Sequence, residues 1–266
     1  MSRDLATNPI RRHRGFGLVE LLISLGIFSL ISVLLFSLFN RGTKAILGAN
    51  ARQQAQLSLN KSHSWLQRDL EQSNPRQIDS KKMPVAGQGD AVWFLTAEDP
   101  LETDPNLKFK RVDGTGSPLY QANVLYYLVR PSDYSKIADG LLPDLDPDPT
   151  ADFFAPHKFL IRKVIDRTPD PADKESLLTQ AEVDSYLTAP VDYTLTPFES
   201  EKDVVDYRLI ADKMLSFEVL LDQSVAEIKT SALRIDEARR SEAIGKVSFK
   251  NHPLTSHRLA RFQLRK

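Results

Sequence analysis

An α+β fold, with a long N-terminal helix packed on a mainly antiparallel sheet, is predicted by three features of the sequence. The run Phe16 to Phe39 spans 24 residues with a single charged member, Glu20. Leu47, Ala51, Ala55, Leu59, Leu66 and Leu70 then recur at spacings of four or seven, the mark of a helix with one buried face. Beyond Pro75 the chain breaks into short apolar or alternating runs between turn residues, the pattern of strands. With 41% hydrophobic and 26% charged residues in 266, the chain is excluded from whole-chain disorder, collagen and coiled-coil arrays. Its 35 basic and 35 acidic residues cancel, leaving no general field to gather nucleic acid, and none is expected as a partner. The absence of cysteine excludes disulfides, thiol nucleophiles and thiolate metal sites.

As a helix the first run is about 36 Å long, enough to cross a bilayer. A buried core helix would show a polar face, whereas Leu18, Leu21, Leu22, Leu25, Phe28, Ile31 and Leu35 go all the way round. A cleavable secretory signal fits poorly, because its apolar region spans only about 7–15 residues. Arg3, Arg11, Arg12 and Arg14 precede the run against Asp4 alone, and Arg41 and Lys44 follow it. The positive-inside bias therefore holds the N-terminus in the cytoplasm and sends the remaining chain outward. Glu20 sits about one turn inside the run. A charge at a bilayer centre costs about 2.5–3.5 kcal/mol on insertion scales, so a partner for this carboxylate is expected.

The junction Arg14-Gly15-Phe16-Gly17-Leu18-Val19-Glu20 resembles the N-terminal signature of type IV pilins and pseudopilins. The resemblance implies that residues 1–15 form a cytoplasmic leader, cut between Gly15 and Phe16 by the membrane-embedded prepilin peptidase. It further implies N-methylation of Phe16, and pairing of Glu20 with the terminal amine of a neighbouring pilin or pseudopilin. The expected location is then the inner membrane, single pass, with the C-terminal domain in the periplasm and possible extraction into a filament. Elementary physics supports the pairing. Cleavage creates an α-amino group that titrates near 7.7–8, four residues and about 6 Å along the helix from Glu20. An unpaired partner in a low-dielectric layer is costly and a satisfied one is tolerated, so cleavage would switch an idle precursor into a subunit able to polymerise.

Residues 16–39 are thus expected to be the transmembrane half of the helix and residues 40–72 its amphipathic half. Lys61 and His63, close to Trp65, read as surface and rim residues. The helix breaks at Ser73-Asn74-Pro75, because a proline disfavours helix in the residue before it. The outer domain, 73–266, shows strand patterns at Ala91 to Thr96, Val124 to Val129, Phe159 to Ile165, Met214 to Leu221 and Leu259 to Leu264. In the last of these Ala260, Phe262 and Leu264 share one face. A short exposed helix is expected from Ile235 to Ile244, with its acids early and its bases late.

Two stretches rich in proline and aspartate, 131–156 and 168–206, read as long excursions from that core. Asp133 to Asp206 holds 17 acidic and 7 basic residues, whereas Lys229 to Lys266 holds 10 basic and 3 acidic. An acidic loop of one subunit facing the basic C-terminal strand of the next would set register; two solvated faces of one monomer explain the asymmetry equally well. Asp144, Asp146 and Asp148 are weak candidates for calcium, since prolines interrupt them and the EF-hand glycine and glutamate are missing. The five histidines lack zinc spacing, no cofactor is expected, and neither a nucleophile elbow nor a phosphate loop occurs.

Downstream likenesses are more scattered. Trp65 to Gln72, Asn74-Pro75-Arg76, Leu125 to Arg130 and Leu160 to Lys163 resemble the J-component minor pseudopilin of type II secretion. The tyrosine-rich strand and Leu233 to Ala238 resemble the pilin-like Verru_Chthon cassette protein C family. The expected function is a minor pilin or pseudopilin, a structural subunit of a type II secretion or type IV pilus-like filament, with no catalytic site. The alternative is a signal-anchored periplasmic enzyme or ligand-binding domain outside any filament.

Overall fold

The computed structural model describes residues 17–84, 88–99, 102–104, 108–132, 158–168, 174–222, 225–233 and 255–263. Helix α1 runs from Leu18 to Glu71, and the chain divides into two compact units between Leu47 and Gly48. In the first unit the large apolar side chains from Leu18 to Phe39 are all exposed. The helix is long and apolar enough to cross a membrane. Two of its hydroxyls bond back within the helix, Ser29 Oγ donating to the Leu25 carbonyl at 2.8 Å and Thr43 Oγ1 to that of Phe39 at 2.9 Å.

In the second unit, α1 turns Ala51, Ala55, Leu59, Ser62, Leu66, Asp69 and Leu70 inward. This is the expected stripe without Leu47, which is only half-buried, and with two polar members added, and it packs on a seven-stranded antiparallel sheet whose strands lie in chain order. The strands are β1 (Ser73–Lys82), β2 (Asp90–Thr96), β3 (Ala122–Val129), β4 (Lys158–Ile165), β5 (Val204–Asp222), β6 (Val225–Leu233) and β7 (Thr255–Gln263). Five match the sequence patterns. β1 and β6 were not foreseen, and β5 begins ten residues before the expected Met214. That length lets β5 serve two partners: Val204 to Met214 pairs with β4, and Met214 to Asp222 with β6. The changeover falls at a bulge where Lys213 takes φ +56° and sends its Nζ to Gln54 of α1 at 2.8 Å.

Alternation within each strand builds two cores. Val92, Phe94, Val124, Tyr126, Leu160 and Phe217 meet the α1 stripe, while Trp93, Leu125, Tyr127, Phe159 and Ile161 face the other way. That second face is covered by residues 174–203, which hold α2 (Gln180–Asp184) and a 3₁₀ turn (Thr196–Ser200). Here the reading of 168–206 as an acidic excursion needs correction. Where it is described, the stretch lies on the sheet, burying Leu178, Val183 and Phe198, and its last residues belong to β5. Five of its described acids are paired inside the domain: Glu175 and Glu182 with Arg167, Asp184 with Lys81, Glu201 with Lys163 and Asp206 with Arg162. The expected helix at 235–244 and most of 131–156 lie outside the described residues.

The start of β2 closes against the second half of β5. Asp90 Oδ2 accepts from the Val219 amide at 2.7 Å. Gly89 has φ +81°, and a Cβ there would lie 2.2 Å from the Phe217 carbonyl oxygen. Since that obstacle is backbone, Gly89→Ala should destabilise the domain by about 1–3 kcal/mol. Thermal unfolding of the full chain in detergent, followed by tryptophan fluorescence, checks this; an unchanged midpoint would mean the β2–β5 closure is looser than described.

Candidate functional site

At the head of α1 the sequence dictates a cap. Glycine at position 17 leaves the amides of the first turn without a side-chain acceptor from the N-cap residue, and Glu20 stands three residues on, the position from which a carboxylate reaches back. The structure shows that contact: the Gly17 amide donates to Glu20 Oε2 at 3.1 Å, and Leu21 N donates to Gly17 O at 3.1 Å. A negative charge here also complements the helix dipole. Glu20 is therefore both exposed in an apolar segment and bound to the backbone beside the expected cleavage point. Gly15 and Phe16 lie outside the described residues, as do Asp144, Asp146 and Asp148.

Residues 10–36 match the prokaryotic N-terminal methylation motif. The motif supports a type IV pilin-like or pseudopilin precursor, and its apolar helix fits a single-pass membrane anchor. It implies processing by a prepilin peptidase and assembly with other pilins. The match covers 27 of the 266 residues, so it identifies the N-terminal signal and leaves the outer domain to be read from its own structure. No curated protein and no solved structure matches the chain.

In the outer domain the structure assembles two charged nodes that the sequence reading did not single out. Both grow from β4, where Arg162 and Lys163 are consecutive and so point to opposite faces. On the helix side, Arg162 Nε lies 2.5 Å from Asp69 Oδ2 and its Nη1 lies 2.9 Å from Asp206 Oδ2. Tyr126, directly across the ladder from Arg162, donates its hydroxyl to Asp69 Oδ2 at 2.7 Å. The Asp69 side chain is 1% exposed. Burial pushes the Tyr126 phenol well up and the Asp69 charge pushes it further. Burial alone would lower the Arg162 guanidinium, but Asp69, Tyr126 and Asp206 together outweigh it and raise it. Trp65 covers the node, with the guanidinium carbons of Arg68, Arg208 and Arg162 at 4.2, 5.1 and 5.4 Å from its ring centre.

On the other face the Lys163 side chain is 0% exposed. Its Nζ donates to Tyr186 O at 2.7 Å, Thr188 Oγ1 at 2.8 Å and Glu201 Oε2 at 2.6 Å, and lies 4.2 Å from the Phe198 ring centre. One ammonium thus ties the covering segment at three points. Arg167 ties the start of that segment through Glu175, Glu182 and Ser176, and a Thr179–Glu182 capping box closes the head of α2.

Burial brings Lys163 down from its ordinary value to about 8, against the opposing pull of Glu201. Between pH 8 and about 10 the unfolded chain therefore binds more protons than the folded one at this site, and stability should rise with pH. Above about 10 the unfolded tyrosines ionise first, since burial pushes Tyr126 and Tyr127 up in the fold, and stability should fall again. Denaturant titrations across this range check the sign. Lys163→Met should flatten the rise, and a fall in wild-type stability starting at pH 8 would contradict it.

Proposed function

We propose that this chain is a minor pilin or pseudopilin, made as a precursor, cut between Gly15 and Phe16 and N-methylated at Phe16. It enters a periplasmic filament from the inner membrane through α1. The observation that carries this reading is the methylation motif at residues 10–36, with Glu20 held at the first turn of an exposed apolar helix. The likenesses at Trp65 to Gln72 and Leu125 to Arg130 favour the type II secretion branch, as a J-like component. The outer domain acts as a structural module without catalysis, a reading supported by the use of its buried charges: Asp69, Arg162 and Lys163 all join elements of the fold.

The test is the N-terminus of the protein isolated from its native membrane, read by mass spectrometry. A chain starting at N-methylated Phe16 is expected. A chain still starting at Met1 or Ser2 would overturn the reading in favour of a signal-anchored domain.

A further inference from the structure

Among the described residues β1, the second half of β5 and β7 each present a stretch of strand edge, and the three are finished differently. β1 is interrupted: its pairing with β2 shifts between Ser73 and Ile78, around Pro75, and a proline with a bulge is a common way of blunting an edge. The second half of β5, past its pairing with β4, is filled by side chains: Lys158 Nζ donates to the Leu215 carbonyl at 3.1 Å, and Asp90 takes the Val219 amide. From Leu259 to Gln263, β7 shows no such finishing among the described residues. Its nine residues pair with β6 in unbroken register from Val225↔Gln263 to Leu233↔Thr255, without proline or glycine. Among the described residues no strand lies beyond it. On its outward face Leu259 is 52% exposed and Arg261 71% exposed.

We propose that the edge Leu259–Gln263 of β7 receives an extended strand from a different subunit of the assembly, and that this strand is acidic. Backbone pairing along an open edge supplies affinity, and alternate side chains supply specificity. Leu259 and Arg261, two residues apart on one face, call for an apolar residue and an acid at the same spacing opposite them. Arg261 bonds Glu227 at 2.7 Å yet keeps most of its guanidinium in solvent, ready for a second carboxylate. Among its described residues a second copy of this chain offers no such strand. Its other edge, β1, carries Arg76, Lys81 and Lys82 against Asp79, and the described acids of 174–206 that pair with Arg167, Lys81, Lys163 and Arg162 are spent at home. The inference rests on the filament reading for the identity of its partner, and on the edge alone for its geometry.

The experiment places photo-reactive benzoylphenylalanine at position 259, or at position 82 in β1 as a control, in the full chain expressed with its native neighbours. The crosslinked peptides are then sequenced by mass spectrometry. Position 259 should yield an adduct to an acidic, proline-free segment of another subunit, at least tenfold above position 82. The paired exchange Glu227→Arg with Arg261→Glu keeps the internal ion pair and removes the cation from the edge, so it should cut the adduct about tenfold while the unfolding midpoint holds. The proposal is overturned by equal yields from both positions, by an adduct to this same chain, or by indifference to the exchange. A processed N-terminus without the adduct leaves the filament reading standing and removes this one. An adduct on an unprocessed chain does the reverse.

Discussion

Asp69→Ala should lower the stability of the outer domain by about 3–5 kcal/mol, the usual cost of removing one partner of a buried ion pair. The reason lies in what remains. Arg162, with its side chain 4% exposed, would keep its charge beside the apolar stripe of α1 with only Asp206 to meet it, and the Tyr126 hydroxyl would lose its acceptor. For a unit of this size that is a fall of roughly 6–20 °C in unfolding midpoint. Trp65, packed against Arg162 and Arg68, makes the change visible in fluorescence. The discriminating variant is the double replacement Asp69→Ala with Arg162→Met. Exchanging the whole pair for apolar groups is far less costly than orphaning one member, so the double variant should recover part of the loss. Two additive losses would mean that the node contributes through ordinary packing instead.

This node also shows why part of the domain was illegible in the sequence. The α1 stripe could be read because its leucines and alanines repeat at helical spacing, and Asp69, three residues past Leu66, lies on that same face. A charge on an apolar stripe signals a buried partner, but the partner sits 93 residues away, which periodicity cannot supply. β4 carried a stronger hint, since Arg162 and Lys163 interrupt an otherwise apolar run and adjacent strand residues cannot both face solvent when helix and cover lie on opposite sides. Burial of both cations required knowing that 174–203 covers the second face. That segment disguised itself by composition, because its aspartates and prolines resemble a solvated loop while Leu178, Val183 and Phe198, the residues that dock it, are too widely spaced to form a pattern. β1 was hidden for a related reason. As an edge strand with Ile78 its one large apolar residue, it is specified by its neighbour β2 more than by itself. β6 does alternate, with Ala226, Ile228, Thr230 and Ala232 inward, but apart from Ile228 its inward residues are small or polar and the signal is weak.

Glu20→Ala should leave cleavage intact and reduce incorporation into filaments at least tenfold. Before processing, one carboxylate oxygen is already engaged, because the Gly17 amide donates to Oε2; this contact makes the carboxylate a cap of its own helix. Loss of a cap costs only about 0.5–2 kcal/mol, and the long apolar helix on either side of the site persists without it. In the proposed maturation the peptidase acts on the bond between Gly15 and Phe16, which the substitution leaves in place. What changes is the meeting of two helices in the membrane. A new terminal ammonium at Phe16 in one subunit requires an anion in a layer where isolated charges are expensive, and Glu20 is the sole acid between Phe16 and Phe39. Glu20→Gln separates the two roles. Its amide oxygen can still accept from Gly17, so the cap survives, but it offers no charge to the amine. Filament yield measured by shearing and immunoblotting, alongside the mass of the N-terminus, should therefore find both variants processed and both depleted from filaments. Wild-type incorporation of Glu20→Gln would show that the carboxylate serves its own helix and that subunits find one another by other contacts.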